Sequence, residues 1–252
     1  MRLIVPIALA LPTAAHAHGV PLSSDAPAAL AAVGLAVAGL AYLAGVRARA
    51  PLAPWHIATF AVGWLALAAA LAPALDRAAA GSFALHMVQH ELLMVVAPPL
   101  MILGRPFTAL GAIAPPGLLR VLALPLHIPP AAAWLLHAAA LWSWHAPRLF
   151  DAALAVPGVH ALQHACFFLT ALLFWWTVFR RVRAGTAAIY VVTTIIHSGA
   201  LAALLTFAPA PLYAGTTLEA QQLGGLIMWV PASYALLLAG LVACNRLLEA
   251  HA

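Results

Sequence analysis

The chain has 252 residues, 65% hydrophobic and only 7% charged, with a formal net charge of +5 and a mean hydropathy of +1.03. A soluble domain carries about 25% charged residues, so a water-soluble globular protein is excluded and lipid is the expected solvent. The positive charge is all arginine, placed singly or in short clusters between apolar runs; that is a topology signal and not a nucleic-acid-binding surface.

Arg2, the short apolar run from Leu3 to Leu11, and Ala15 and Ala17 in A-x-A spacing read as a secretory signal covering residues 1–17. Cleavage after Ala17 would leave His18 at a free N-terminus, where its α-amine and imidazole together can chelate Cu(II). Residues 18–252 then form one membrane domain. A span needs roughly 20 apolar residues, and seven segments qualify: 28–46, 55–73, 82–103, 129–146, 158–179, 186–207 and 221–244. The expected fold is therefore an all-α, polytopic transmembrane bundle. Its fourth span is the least clear, because Pro125, Pro129 and Pro130 interrupt the apolar stretch before it. Residues 118–128 are expected to be a re-entrant or interfacial piece.

With the mature N-terminus outside, Arg47, Arg49, Arg105, Arg120, Arg180, Arg181, Arg183 and Arg246 lie inside, and only Arg77 and Arg148 lie outside. The positive-inside rule selects this orientation, with the C-terminus inside. Asp25, Asp76, Asp151 and Glu219 fall on the outer side, and Glu91 is the one carboxylate within a span. Cys166 and Cys244 sit in apolar runs without a CxxC, so they read as small hydrophobes.

Twelve histidines are many for so apolar a chain. The third span carries His86 and His90, the fifth His160 and His164, both within H-x-x-Q-H, and the fourth ends at His145. An i, i+4 pair lies on one helix face, and all five fall within about two turns of the outer surface. Imidazole is the commonest metal ligand and suits copper, zinc and iron. Gln89, Gln163 and Glu91 are candidates to orient these ligands. Helical spacing puts Met94 and Met101 on a broad stripe running inward from His86 and His90, and Met228 lies in the outer half of the seventh span; thioethers favour Cu(I). His137 and His197 lie deeper, whereas His56, His127 and His251 fall on the inner side.

Beyond these residues, His86 to His90 run on to Ala97-Pro98-Pro99-Leu100 and Leu103-Gly104-Arg105-Pro106. Trp144-His145-Ala146-Pro147 is followed by Phe150-Asp151-Ala152-Ala153-Leu154. His160 to His164 precede Phe167-Phe168 and Phe174-Trp175-Trp176, and Gln221-Gln222-Leu223-Gly224-Gly225 leads to Met228-Trp229. In order and spacing the chain resembles the multi-spanning CtaG family of cytochrome c oxidase assembly factors over residues 28–248. The resemblance implies seven spans in the bacterial cytoplasmic membrane and a role in forming active haem-copper oxidase through copper delivery or insertion. It further implies oxidase subunits and periplasmic copper chaperones as partners, with no catalytic residues. Glu91 stands where family members often have leucine, Gln163 where they often have glutamate, and Ala220-Gln221 where an aspartate-glutamine pair is common, which puts carboxylate roles at the last two positions in doubt. A copper transporter and a b-type haem cytochrome are the competing readings; the i, i+4 spacing argues against the second, since both histidines of a pair crowd one haem face.

Overall fold

The computed structural model describes residues 26–249, and among them all regular structure is helical. The expected signal segment, His18 and His251 lie outside the described residues. The first span is α1 (Ala26–Arg47). The second is α2 (Pro54–Ala70), bent by 49° against α3 (Pro73–Ala80). The third, Phe83–Leu103, comprises α4 (Phe83–Glu91), a π-helical turn (Leu92–Val96) and α5 (Ala97–Leu103). Short helices α6 (Pro106–Gly111) and α7 (Pro116–Ala123) lead through a 3₁₀ turn (Leu124–His127) to α8 (Pro130–Trp144). Then come α9 (Pro147–Ala155), α10 (Pro157–Trp176) with a terminal π turn (Thr177–Arg181), α11 (Ala184–Thr206) and α12 (Leu218–Glu249). Pro54, Pro73, Pro106, Pro116, Pro130, Pro147 and Pro157 each open a helix, where a missing N–H costs nothing and the fixed φ is already helical.

Five described helices are long and apolar enough to cross a membrane, and seven crossings result when each bent pair counts as one. These are the seven segments expected from the sequence. The weak signal of the fourth has a physical reason. α8 has 15 residues, about 22 Å at 1.5 Å per residue, and the α7 segment meets it at 71° rather than extending it. Pro129 and Pro130 remove two backbone donors at this corner. The Arg181 guanidinium donates to the Leu126 and Ile128 carbonyls, at 2.8 and 2.6 Å, and ties the corner to the end of the fifth span.

Polarity is arranged inside out. Leu30, Val37, Ile196 and Leu238 are each more than 60% exposed, whereas His90, Gln89, Gln163 and Gln221 are fully enclosed. Of the five continuous spans, the third is the most buried and α1 the least. Lipid gives no hydrophobic drive for one helix to join another, so small residues that admit close backbone approach matter more. α12 uses Gly224 against Phe83 of α4 and Gly225 against α11, where an added Cβ would meet Thr206 Oγ1 at 2.5 Å and the Ala202 carbonyl at 3.0 Å.

The π turn has an identifiable cause. Residues 98 and 99 are prolines, so the Met94 carbonyl finds no donor at either the α-helical or the π-helical spacing. Trp175 of α10 supplies one, its indole N–H lying 2.9 Å from that carbonyl. The ring is buried at the centre of the main core cluster. The turn also rotates the inner half of the span relative to the outer half. Met94 packs with α8, α10 and α12 residues in the main cluster, whereas Met101 packs with α1 and α2 residues such as Phe60 and with Ala109 of α6. The expected Met94–Met101 stripe is therefore split, because that expectation assumes an unbroken 3.6-residue period.

Two changes test this packing by thermal unfolding in detergent. Gly225→Val should lower the Tm by about 3–10 °C through forced backbone separation, while Gly34→Ala, with nothing near its Cβ, should leave it unchanged. Trp175→Phe keeps a ring but orphans the Met94 carbonyl, and should cost about 1–2 kcal/mol.

Candidate metal centre

The five expected histidines converge. α4 opens at Ser82, whose hydroxyl accepts the Leu85 N–H at 3.4 Å, and presents His86 and His90 one turn apart with ring centres 4.3 Å from each other. α10 presents His160 and His164 in the same way, 4.0 Å apart. Across the helix interface His86 lies 5.3 Å from His160 and 6.3 Å from His164. His90 is central: its ring is 5.8 Å from His164, 5.7 Å from His145 and 4.7 Å from Phe167. His86, His90, His145 and His164 are buried, and His160 is partly exposed.

Six ring nitrogens in this cluster are buried without a partner: Nε2 of His86, His145, His160 and His164, and both nitrogens of His90. Burying such groups unpaired costs roughly 1–3 kcal/mol each, and each neutral imidazole carries one lone pair that a bound cation could take. One ligand atom from each of His86, His160 and His164 lies within 4.8 Å of the others. A tetrahedral ion with nitrogens at 2.0–2.1 Å would bring them to about 3.4 Å, a closure within reach of small ring rotations.

Neighbouring groups hold the rings. His145 Nδ1 is 2.7 Å from the Leu141 carbonyl; a carbonyl only accepts, so Nδ1 carries the proton and Nε2 is left with its lone pair. The Tyr213 hydroxyl donates to the His145 carbonyl at 2.9 Å. Burial and the nearby Asp151 carboxylate push the Tyr213 phenol above its usual range, so it remains a neutral donor. Phe83, Phe150 and Tyr213 form an aromatic roof over His86, with Phe150 5.2 Å from its ring.

Each glutamine of the H-x-x-Q-H pairs grips a different element. Gln89 donates to the Ala70 carbonyl at 2.7 Å and to Asp76 at 3.2 Å, and Asp76 in turn lies 3.6 Å from His160 Nδ1. Gln163 reaches the Trp144 carbonyl, next to His145, at 3.5 Å. Gln221 is a loop latch, accepting from Leu212 N–H and donating to the Leu205 carbonyl. The sequence marks Asp76 only as an outer-side charge. Its position in α3, the short helix broken off by Pro73, is the signal that could have drawn attention to it.

A cleft of about 680 Å³ between α1, α2 and α10 is walled by apolar side chains and ends at Asp76, His160 and His164. The weaker candidates divide between this cleft and other surroundings. Met101 borders that cleft. Met94, Met228, His137 and Glu91 line a separate small cavity. His197 sits between Trp134 and Trp142, accepting the latter's indole N–H at 3.4 Å. His56 and His127 bond their own helix segments far from the layer.

The Tyr213 latch has a measurable worth: Tyr213→Phe, losing one buried hydrogen bond of about 1 kcal/mol, should lower the Tm by about 2–4 °C.

No curated protein and no solved structure matches the chain. The family described as cytochrome c oxidase caa3 assembly factor (Caa3_CtaG) matches residues 40–250, a range that contains all five histidines, both glutamines and Asp76. The chain belongs to this family of cytochrome c oxidase assembly factors.

Proposed function

We propose that the protein binds copper at the five-histidine layer and passes it to a cytochrome c oxidase subunit during assembly. The observation that carries the reading is the set of buried imidazole nitrogens with no partner, in a cluster where His86, His160 and His164 each bring a ligand atom within 4.8 Å of the others. An all-nitrogen donor set suits copper and zinc. The family's task, oxidase assembly, favours copper as cargo. The residues fit that cargo: His86, His160 and His164 would hold it, and His90 and His145 offer further nitrogens for exchange. His145 and His160 are oriented by Leu141 and Asp76 respectively. The cleft beside α10 is the route by which cargo or a partner segment reaches the ligands. The arginine asymmetry supports an outer-side position for this layer; in a bacterial cytoplasmic membrane that is the side from which periplasmic copper chaperones could load it. No bond is broken in such a role.

The haem alternative requires a slot for a macrocycle between facing imidazoles; neighbouring rings of the cluster lie 4.0–6.3 Å apart, too close to admit one between them. A transport role would need donors at successive depths and would be read as copper uptake into liposomes.

The test is complementation. In cells deleted for the gene, His86→Ala/His90→Ala and His160→Ala/His164→Ala should accumulate normally in the membrane but fail to restore oxidase activity. Purified, each should bind copper at least about 100-fold more weakly than the parent chain. Full oxidase activity with either double variant contradicts the proposal.

A further inference from the structure

Beneath the histidine layer lies the small cavity of about 30 Å³ between the π turn of the third span, α8, α10, α11 and α12. Four metal-capable side chains line it: Glu91, Met94, His137 and Met228. Met94 is four residues beyond His90, about 6 Å further along the helix. We propose that these four residues form a second, softer site that takes Cu(I). The inference rests on copper being the cargo of the histidine layer and extends it inward.

Three observations support this assignment. Glu91 is 5% exposed, and its Oε2 has no partner. No cation lines the cavity, and the two hydroxyls that do are committed elsewhere: Thr194 donates to the Tyr190 carbonyl and Ser198 to the Thr194 carbonyl, both at 2.7 Å. An unpaired carboxyl oxygen is costly in a membrane interior and is relieved by a proton or by a bound cation; the thioethers and the imidazole beside Glu91 provide for the cation.

The second observation concerns His137. Its Nδ1 lies 3.3 Å from Thr170 Oγ1, whose own proton goes to the Cys166 carbonyl at 2.7 Å. Thr170 therefore accepts, Nδ1 carries the hydrogen, and the Nε2 lone pair is free to bind metal. This is the same device that orients His145 in the layer above.

The third is the donor chemistry. Two thioethers from different helices, both 3% exposed, converge on the cavity, and thioethers select Cu(I) over harder ions. One carboxylate with a monovalent cation is neutral overall, which suits a lipid-embedded site. A divalent ion would leave a net charge there. The π turn matters because it directs Met94 toward α8 and α12 instead of continuing the face that carries Met101. Isolated π turns are frequent at functional positions.

The test uses the full chain in detergent micelles under reducing, oxygen-free conditions, with Cu(I) supplied as its bicinchoninate complex. Binding is read by competition and by X-ray absorption at the copper edge. The parent chain should show sulfur as well as nitrogen scatterers. Met94→Leu/Met228→Leu, which conserves volume, should lose the sulfur shell and one copper equivalent while keeping nitrogen-bound copper. His86→Ala/His160→Ala/His164→Ala should keep the sulfur shell. Copper bound by nitrogen alone in the parent chain, or a sulfur shell that survives the methionine changes, overturns this inference and leaves the histidine layer standing. Sulfur-bound copper undiminished in total by the histidine changes supports this site and removes the layer. A parent chain that binds no Cu(I) overturns both.

Discussion

Lipid offers no hydrogen-bond partner to imidazoles, amides or orphaned carbonyls, and every such group in this chain has to find one within the bundle. The consequences are visible span by span. Pro98 and Pro99 strip the Met94 carbonyl of its helical donor, and Trp175 crosses from α10 to supply another. Pro129 and Pro130 open the corner before α8, and Arg181 closes it. Gln221 ties the loop between α11 and α12 to the end of α11. With apolar contact contributing little in lipid, these polar ties and the close approach at Gly224 and Gly225 determine which helices neighbour which.

Among the described residues the same constraint is left unmet most densely in the histidine layer, with single unpaired atoms such as Glu91 Oε2, His56 Nε2 and His197 Nε2 elsewhere. Asp76 and the Leu141 carbonyl fix two rings, His160 and His145, in orientation, with Gln89 and Tyr213 holding Asp76 and the His145 backbone in turn. Six ring nitrogens of the layer are left unpaired. A bundle that concentrates six unpaired nitrogens in one cluster is what preorganisation for a ligand would look like. An assembly factor that delivers a cargo needs to hold it and also release it. Five imidazoles around a position that three can fill permit exchange of ligands without full dissociation.

Much of this is legible in the sequence. Span count, the weak fourth span and the shared depth of His86, His90, His145, His160 and His164 follow from apolar run length, span direction and i, i+4 spacing, whereas the approach of their rings across helices is a matter of packing. The split between Met94 and Met101 is not legible, because a π turn shifts the helical phase and its trigger, a proline pair, fixes no angle by itself. Asp76 escapes notice because its link to His160 runs through a bend between α2 and α3. The orienting roles of the two glutamines can be anticipated, but which groups they hold depends on packing between helices distant in sequence.

The central claim is that an ion sits among His86, His160 and His164. Crystals grown with copper, with anomalous scattering measured on either side of the copper edge, test it most directly. The account predicts its strongest peak between the side-chain nitrogens of these three residues, at about 2.0–2.1 Å from each. A copper peak only at exposed positions such as His127, with the buried cluster empty, would contradict it.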